Sequence, residues 1–288
     1  MFAQACRAGY RAFDTAVYYA NDAELLAALD DCGAAGQARI IHKVQPYRIS
    51  DQFERLIQPR LGGRPLDTLL LHHPALFVLD ARPLVFMKRW SELERLVERG
   101  LVRRIGCSNA GRPFVEHLVR HASVKPAVNQ VECHPWNYDA DLVGCCRERG
   151  VEVQCYSPLG SGRLPVLRSA AIREIARQAG RSPAQVCLRW LIQKGLVPIV
   201  RARDPTHMRD NLQALTFSLD EAQARLIDQI GRTARAWDDP IKRGCLSATI
   251  TPTRIRVANR FRFAVKSGLH YLAVELFLRR HPPSRAGG

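Results

Sequence analysis

Short apolar segments alternate with longer segments of helical period through most of the chain, and this alternation constrains the fold more than any other feature. It is typical of βα units arranged around a parallel sheet. The predicted strands span 11–14, 39–43, 67–72, 103–107, 126–130, 151–156 and 196–200. The predicted helices span 22–31, 51–61, 88–99, 113–121, 138–149, 168–179, 183–194 and 219–230. The chain is therefore predicted to be an α/β protein.

Two common folds are built from such units, a closed (β/α)₈ barrel and a doubly wound open sheet. A dinucleotide-binding open sheet carries G-x-G-x-x-G after its first strand, and this chain has no such segment. We therefore predict an α/β fold of the (β/α)₈ TIM-barrel class. In that class the functional groups lie at the carboxyl ends of the strands.

Two short patterns predict where helices begin. Ser182-Pro183 combines a good N-cap with a proline in the first turn. Ser218 and Glu221 have the spacing of a capping box. We expect the last predicted helix to begin at this second pattern.

The net charge of +16 is unevenly distributed along the chain. Residues 241–288 hold ten Lys and Arg and one acidic residue, a net +9, which leaves +7 for residues 1–240. Binding to nucleic acid or to an anionic surface is therefore a question about the tail.

Nine cysteines without a CxxC pair favour a reduced, intracellular protein. No apolar segment has the length of a signal peptide or a membrane span.

Polar side chains that suit acid–base chemistry stand at the ends of the first three predicted strands. Asp14 and Tyr19 follow the first strand, Lys43 ends the second, and His72 ends the third. A lysine beside a tyrosine would lower the pKa of the phenol, a carboxylate would hold the lysine, and an imidazole would hydrogen-bond the oxygen that takes the proton. Such a set needs no metal. It favours a reaction in which a cofactor supplies hydride.

From Ala8 to Asp228 the sequence resembles the aldo-keto reductase family. The segments GYRAFDTAVYYAND (9–22), IIHKV (40–44) and LDTLLLHHP (66–74) carry the resemblance, with GLVRRIGCSNA (100–110), PAVNQVECHPW (126–136) and YSPLGSG (156–162) in the same order. The resemblance implies that Asp14, Tyr19, Lys43 and His72 form the catalytic set. His73 stands where the family more often has an aromatic residue, and we interpret it as part of the pocket wall.

The resemblance also implies a nicotinamide cofactor and its binding residues. Ser108, Asn109 and Gln130 would contact the carboxamide, and Tyr156 would stack on the nicotinamide ring. The remaining cofactor residues that it implies are Ser157, Leu159 and Ser161 in the loop after Tyr156, and Arg201, Arg203, His207, Asp210 and Asn211 near the adenosine. Two arginines and a histidine suit a 2′-phosphate, so we favour NADPH over NADH. A solvated loop face is the alternative for the two arginines.

The chain departs from the family at both ends. Family members carry a first barrel strand before the GYR segment, and here Met1 falls in the helix that should follow that strand. The resemblance therefore implies a barrel of aldo-keto reductase type over 1–236 that is incomplete at its N-terminus, followed by a basic tail over 237–288. The tail does not resemble the family's C-terminal loop. Packing on the barrel, contact with a membrane surface, nucleic-acid binding and an error of gene prediction are its alternatives, and packing is our expectation.

These observations favour a cytoplasmic, monomeric, NADPH-dependent reductase of small carbonyl compounds, with Tyr19 as the general acid. No metal and no nucleic-acid partner are expected. Two other functions stay open from the sequence. One is a barrel that binds the nucleotide without turnover, and the other is a surface-binding protein that acts through its basic tail.

Overall fold

The computed structural model describes residues 1–46, 48–72, 83–162 and 164–233. The seven predicted strands are confirmed, with small changes of length. They are β1 (Ala12–Asp14), β2 (Arg39–Val44), β3 (Leu66–Leu71), β4 (Val102–Ser108), β5 (Val128–Glu132), β6 (Glu152–Tyr156) and β7 (Val197–Ile199). The predictions about His73 and about the tail over 237–288 lie outside the described residues.

Helices follow the strands as the βα pattern predicts. They are α1 (Phe2–Ala8), α2 (Asp22–Asp31), α3 (Ile49–Gln52), α4 (Pro83–Glu98), α5 (Arg112–His121), α6 (Ala140–Glu148), α7 (Ala170–Ala179), α8 (Pro183–Gln193), α9 (Pro205–Leu212) and α10 (Glu221–Thr233). Short 3₁₀ helices lie at Val17–Tyr19, Gln58–Leu61, Gly160–Gly162, Val166–Arg168 and Gln213–Leu215. No described helix has both the length and the apolar composition needed to cross a membrane.

All neighbouring strands are parallel and pair in chain order from β1 to β7. The two ends of this sheet approach each other, because the Tyr10 hydroxyl donates to the Met208 carbonyl at 3.1 Å. Tyr10 precedes β1 and Met208 lies in α9, which follows β7. The sheet is thus a nearly closed barrel, and the predicted (β/α)₈ class is confirmed. β1 and β7 remain edge strands in the described part of the chain, and a missing first strand stays a prediction.

The packing of the helices shows why the sequence pattern identified them. In α4, Trp90, Leu93 and Leu96 lie on one face and are fully buried. The Trp90 indole also donates to the Val124 carbonyl at 3.0 Å. Gly100, just past the end of α4, has a φ of 68°, a left-handed conformation that favours glycine. These buried residues fix one face of α4 against the sheet, and the helix predicted over 88–99 is therefore confirmed.

One predicted helix has a mixed geometry. The segment predicted as a helix over 51–61 begins as α3, continues as a π-helix over Phe53–Ile57 and ends as the 3₁₀ helix Gln58–Leu61. Pro59 lies in that last turn and has no N–H to donate back along the helix. The α-helical hydrogen-bond ladder therefore does not continue through it.

The two predicted helix starts have different outcomes. Ser182 caps α8, as predicted, and also forms a complete capping box with Gln185. The prediction that Ser218 and Glu221 cap the last helix is wrong. The Asp220 side chain caps α10 instead, by accepting from the Gln223 N–H at 2.8 Å.

Contacts with α8 explain why the cap of α10 lies at Asp220 and not at Ser218. The Ser218 hydroxyl accepts a hydrogen bond from Arg189 at 2.9 Å. The next residue, Leu219, is buried, and its N–H donates to the Gln193 side chain at 2.7 Å. Residues 218–219 are therefore fixed against α8 before the helix begins.

Candidate active site

A lysine and a carboxylate form a tight pair inside the carboxyl end of the barrel. Lys43, near the end of β2, is 2% exposed, and its Nζ lies 2.5 Å from both carboxylate oxygens of Asp14 at the end of β1. Gln130 of β5 also donates to Asp14 Oδ1, at 2.8 Å. This contact crosses the barrel interior and joins residues 116 apart in the chain. The structure therefore confirms that Asp14 holds Lys43.

Burial and the Asp14 carboxylate have opposite effects on the pKa of Lys43. Burial lowers the pKa of the Lys43 ammonium, because the charged form loses water. The charge and the hydrogen bonds of Asp14 oppose this effect without overcoming it, so the pKa is lowered from its ordinary value. The ion pair with Asp14 is thus the main interaction that keeps a charge at this buried position.

Tyr19 lies next to this pair, in the 3₁₀ helix between β1 and α2. Its ring centroid is 5.3 Å from Lys43 Nζ. The side chain is half-exposed, at 49%. Ring, ammonium and carboxylate thus lie together at the carboxyl ends of the first two strands.

The pKa of Tyr19 is raised to about 12, which contradicts the prediction that the lysine would lower it. Desolvation of the phenol is the main cause, the Asp14 carboxylate adds to it, and the charge of Arg201 acts in the opposite direction. Because the Lys43 ammonium is paired with both oxygens of Asp14, its charge is largely balanced before it reaches the phenol. Tyr19 is therefore protonated at neutral pH.

His72 lies at the end of β3 and joins the site through a second set of contacts. The His72 backbone N–H donates to the Val44 carbonyl at 2.8 Å, which continues the pairing of β3 with β2. Its ring Nδ1 is 3.3 Å from the Gln45 side-chain nitrogen. With that amide as donor, Nδ1 accepts and the ring proton lies on Nε2. This tautomer presents an N–H donor from the other side of the ring.

Gln45 was not predicted from the sequence. Gln52 fixes its backbone, since the Gln52 side chain accepts from the Gln45 N–H at 2.9 Å and donates to its carbonyl at 3.0 Å. Gln45 stands two residues after Lys43, so in an extended chain both side chains point to the same face. That spacing is the one sequence signal that could have identified it.

The residues assigned to the nicotinamide form a connected group beside His72. Asn109 has a φ of 63°, and its side-chain nitrogen donates to the His72 carbonyl at 2.9 Å and to the Ser108 hydroxyl at 3.1 Å. The Tyr156 hydroxyl donates to the Asn109 side-chain oxygen at 2.8 Å. The Asn109 N–H donates to the Gln130 carbonyl at 2.8 Å. The structure therefore brings all four predicted residues together.

The loop after β6 is held by its own side chains. Ser161 donates to the Ser157 hydroxyl at 2.6 Å, and both residues have left-handed backbones. Leu159 is partly buried against the core. Ser157, Leu159 and Ser161 thus form one compact loop beside Tyr156.

The predicted adenosine-site residues lie before and within α9. Arg201 and Arg203 are exposed in the segment after β7, and His207 is exposed in the first turns of α9. The Asp210 carbonyl accepts from Gln185 at 3.0 Å, and Asn211 lies near the Tyr10 hydroxyl. Arg201 also acts electrostatically on Tyr19. Its charge therefore lies near Tyr19 as well as near α9.

Among the described residues, no group of three or more His, Cys, Asp or Glu side chains has the arrangement of a metal site. The polar groups of the cleft are instead an ammonium, a carboxylate, a phenol, an imidazole and three amides. These groups suit proton transfer to an oxygen atom and the binding of an amide-bearing ligand.

Comparison with known proteins identifies relatives along most of the chain. The model of the Aldo/keto reductase family matches residues 1–232. The chain is 32% identical over 243 residues to a 9,11-endoperoxide prostaglandin H2 reductase of Trypanosoma cruzi, which covers 82% of this chain and 83% of that protein. It is 34% identical over 241 residues to an aldo-keto reductase of Mycolicibacterium vanbaalenii, with 82% and 84% covered.

Solved structures agree with this result. The apo form of Gox0644 matches with a TM-score of 0.73 and 30% identity, over 83% of this chain and 86% of that one. An aldo/keto reductase of Brucella melitensis matches with a TM-score of 0.72 and 27% identity, over 80% and 88%. The barrel and the order of its strands are therefore those of these proteins.

Proposed function

Because the chain belongs to the aldo-keto reductase family, we propose that it reduces aldehydes or ketones to alcohols with NADPH, with Tyr19 as the general acid. The observation that carries this proposal is the buried Lys43–Asp14 pair beside the half-exposed phenol of Tyr19. A buried ion pair with a titratable group at its open side is typical of a catalytic site.

The residues around Asn109 fit a nicotinamide. Ser108 and Gln130 are buried and provide a hydroxyl and an amide, and the Tyr156 ring lies beside them, partly buried. These groups suit the donors and acceptors of a carboxamide and the flat face of a ring. When bound, NADPH supplies the hydride that reduces the carbonyl carbon.

The described side chains provide the proton and hold the oxygen. Tyr19, with a pKa of about 12, holds its proton at neutral pH and gives it to the carbonyl oxygen as negative charge develops there. The Nε2–H of His72 donates a hydrogen bond to the same oxygen and orients it. Asp14 fixes Lys43 beside the phenol, so that a positive charge faces the tyrosinate left after proton transfer.

The preference for NADPH rests on two guanidinium groups. Arg201 and Arg203 are exposed in the segment that leads into α9. Guanidinium groups pair with phosphate through two parallel hydrogen bonds, and only NADPH has a 2′-phosphate. We place the reaction in the cytoplasm, because all eight described cysteines are free thiols. A monomer remains our prediction.

Replacement of Tyr19 tests the reaction directly. In Tyr19→Phe we expect kcat for a reactive aromatic aldehyde to fall by roughly 10²–10⁴-fold, the usual contribution of general acid catalysis. NADPH affinity, measured by quenching of tryptophan fluorescence, should change little. NADPH consumption is followed by absorbance.

Tyr138→Phe is the matched control. The Tyr138 ring packs edge-on against Trp190 of α8, with 5.3 Å between ring centroids, and Lys194 at the end of α8 lies over the same ring. This variant should keep the parent rate. Full activity in Tyr19→Phe would refute the role of the phenol, whereas a parent chain that binds NADPH without consuming it would favour the nucleotide-binding alternative.

A further inference from the structure

A second buried carboxylate lies behind the catalytic residues, and the proposed reaction does not use it. Asp22 is the first residue of α2 and is buried. Its Oδ1 lies 3.1 Å from His42 Nε2 and 3.2 Å from the Thr15 hydroxyl, and its Oδ2 accepts from Arg60 at 2.8 Å. The Thr15 hydroxyl also lies 2.7 Å from the Asn21 side-chain oxygen. We call these five residues the Asp22 cluster.

The members of the cluster are the chain neighbours of the catalytic residues. Thr15 directly follows Asp14, and His42 directly precedes Lys43. Asp22 stands three residues after Tyr19. The Asp22 carboxylate therefore joins stretches of chain that lie directly beside Asp14, Tyr19 and Lys43.

The strand geometry explains why this contact lies behind the cleft. Successive side chains of a strand point to opposite faces, so Lys43 points into the barrel while His42 points outward, toward the helices. Thr15 is also buried, and its N–H donates to the Ile41 carbonyl at 2.8 Å, which extends the pairing of β1 with β2. Asp22 meets both residues from the start of α2. The cluster thus ties β1, β2 and the Tyr19 segment to one another.

The charge balance favours a fixed arrangement. A buried carboxylate is stable only when hydrogen-bonded and paired. Burial raises the pKa of Asp22, but the hydrogen bonds and charges of His42 and Arg60 outweigh that effect and the pKa is lowered. The carboxylate also lies at the N-terminal end of α2, where the helix dipole favours a negative charge. Asp22 is therefore ionised and is held in place by several hydrogen bonds.

We propose that the Asp22 cluster is a positioning device that sets Tyr19 at the correct distance from Asp14 and Lys43. The proposal rests on the proposed function, because the distance matters only if Tyr19 transfers a proton. None of the five residues touches the reacting groups, so each acts through its chain neighbours. The Tyr19 segment is short, and the Tyr19 N–H donates to the Ala16 carbonyl at 2.9 Å. The hydrogen bond between Asp22 and His42 adds a buried polar connection from the residues just after Tyr19 to β2.

The test compares Asp22→Asn with a matched variant elsewhere on the sheet. Asp67 is also a mostly buried carboxylate that accepts from a threonine hydroxyl, Thr68 at 2.8 Å, and from an arginine, Arg104 at 3.2 Å. It lies near the start of β3, at the end of the barrel away from the cleft. Asp67→Asn therefore removes the same kind of charge and leaves the catalytic residues alone.

In Asp22→Asn we expect kcat to fall by about tenfold or more, since small misplacements of a catalytic group are costly. KM for the aldehyde and the NADPH dissociation constant should stay within about twofold of the parent values, because neither ligand touches the cluster. In Asp67→Asn, kcat should be unchanged. Equal losses of kcat in the two variants would overturn the proposal.

Amide hydrogen exchange provides a readout that needs no turnover. We expect faster exchange over residues 13–22 in Asp22→Asn and unchanged exchange there in Asp67→Asn. If the parent chain reduces no carbonyl compound, the proposed function fails, and the exchange experiment still decides whether the cluster orders the Tyr19 segment. Unchanged exchange over residues 13–22 would refute the positioning role.

A second pair of variants covers the case in which Asp22→Asn does not fold. His42→Gln keeps a side-chain N–H that can donate to Asp22, and His42→Leu does not. We expect His42→Gln to retain more of the parent kcat than His42→Leu at similar melting temperatures. Equal kcat in both would contradict the proposal.

Discussion

Replacement of Asp14 by Asn should destabilise the protein strongly, because it leaves a buried ammonium without its counter-charge. Lys43 is 2% exposed, and its Nζ lies 2.5 Å from both oxygens of Asp14. Asn has nearly the same shape and can still accept from Gln130. The substitution therefore removes the charge with little change in packing.

The expected loss of stability follows from the burial of the pair. Breaking a buried ion pair on one side costs about 3–5 kcal/mol. The Asp14 side chain is 14% exposed, so some of its charge is screened and we expect about 3 kcal/mol, the lower end of that range. For a domain of this size the melting temperature should fall by about 6–12 °C. Urea unfolding followed by circular dichroism measures the loss directly.

The stability lost in Asp14→Asn should also change with pH in a definite direction. The pKa of Lys43 in the folded protein lies below its ordinary value of 10.5. Between those two pH values the unfolded chain binds a proton that the folded chain does not, so stability rises with pH. Without Asp14, which raises this pKa, the folded-state pKa falls further and the interval begins at a lower pH. The deficit of Asp14→Asn should thus be largest near neutral pH and should shrink as the pH approaches 10.5.

Two comparisons make this prediction refutable. The double variant Asp14→Asn with Lys43→Met should recover most of the lost stability, because it removes the unpaired charge as well. Asp67→Asn breaks a pair with Arg104, and its deficit should stay constant from neutral pH to the ordinary lysine pKa of 10.5, because arginine keeps its proton over that range. A loss below about 1 kcal/mol, or a double variant no more stable than Asp14→Asn, would refute the reasoning about a buried charge.

The remaining predictions concern the cofactor and His72. Replacing Arg201 and Arg203 by Ala should weaken NADPH binding at least about tenfold more than NADH binding, since charged hydrogen bonds contribute about 1.5–3 kcal/mol each; fluorescence quenching measures both, and equal losses would identify the arginines as surface charge. Gln45→Leu should lower kcat by roughly tenfold with unchanged NADPH affinity, because the His72 tautomer is no longer fixed and the donor to the carbonyl oxygen is partly lost. A kcat equal to that of the parent would mean that the contact at 3.3 Å does not control the ring.

The sequence was sufficient for the barrel and for the residues that approach one another at its carboxyl end. Strand alternation places Asp14, Lys43 and His72 at successive strand ends, and parallel strands bring those ends to one side of the sheet. This is why a local pattern correctly predicted the contact between Lys43 and Asp14, which are 29 residues apart.

The sequence was not sufficient where two local patterns compete or where a partner is distant. Ser218 and Asp220 both have an acceptable capping partner three residues later, and contacts from α8 decide between them. Asp22 resembles an ordinary acidic residue in the first turn of a helix, and only the fold places His42 and Arg60 against it. Long-range contacts of this kind leave no periodic signal.

The pKa of Tyr19 also depends on burial and on a nearby charge, neither of which can be read from the sequence. Residue types alone placed a cation beside a phenol and predicted a lowered pKa, whereas desolvation and the Asp14 charge raise it to about 12. A raised pKa is compatible with the proposed reduction, because addition of hydride to the carbonyl carbon leaves an alkoxide oxygen, which is a stronger base than a phenolate. Proton transfer from Tyr19 to that oxygen is therefore downhill even without a lowered phenol pKa.

The same pKa makes the site asymmetric between the two directions of the reaction. Reduction requires the protonated phenol, which is the dominant form at every pH well below 12. Oxidation of an alcohol requires the phenolate as a base, and at neutral pH desolvation and the charge of Asp14 both disfavour that form. The charge that opposes them is that of Arg201, a residue also expected at the cofactor phosphate. If the cofactor phosphate balances that charge, the phenol holds its proton still more firmly. The arrangement of Asp14, Tyr19 and Arg201 therefore favours the protonated phenol, which is the form that the proposed reduction requires.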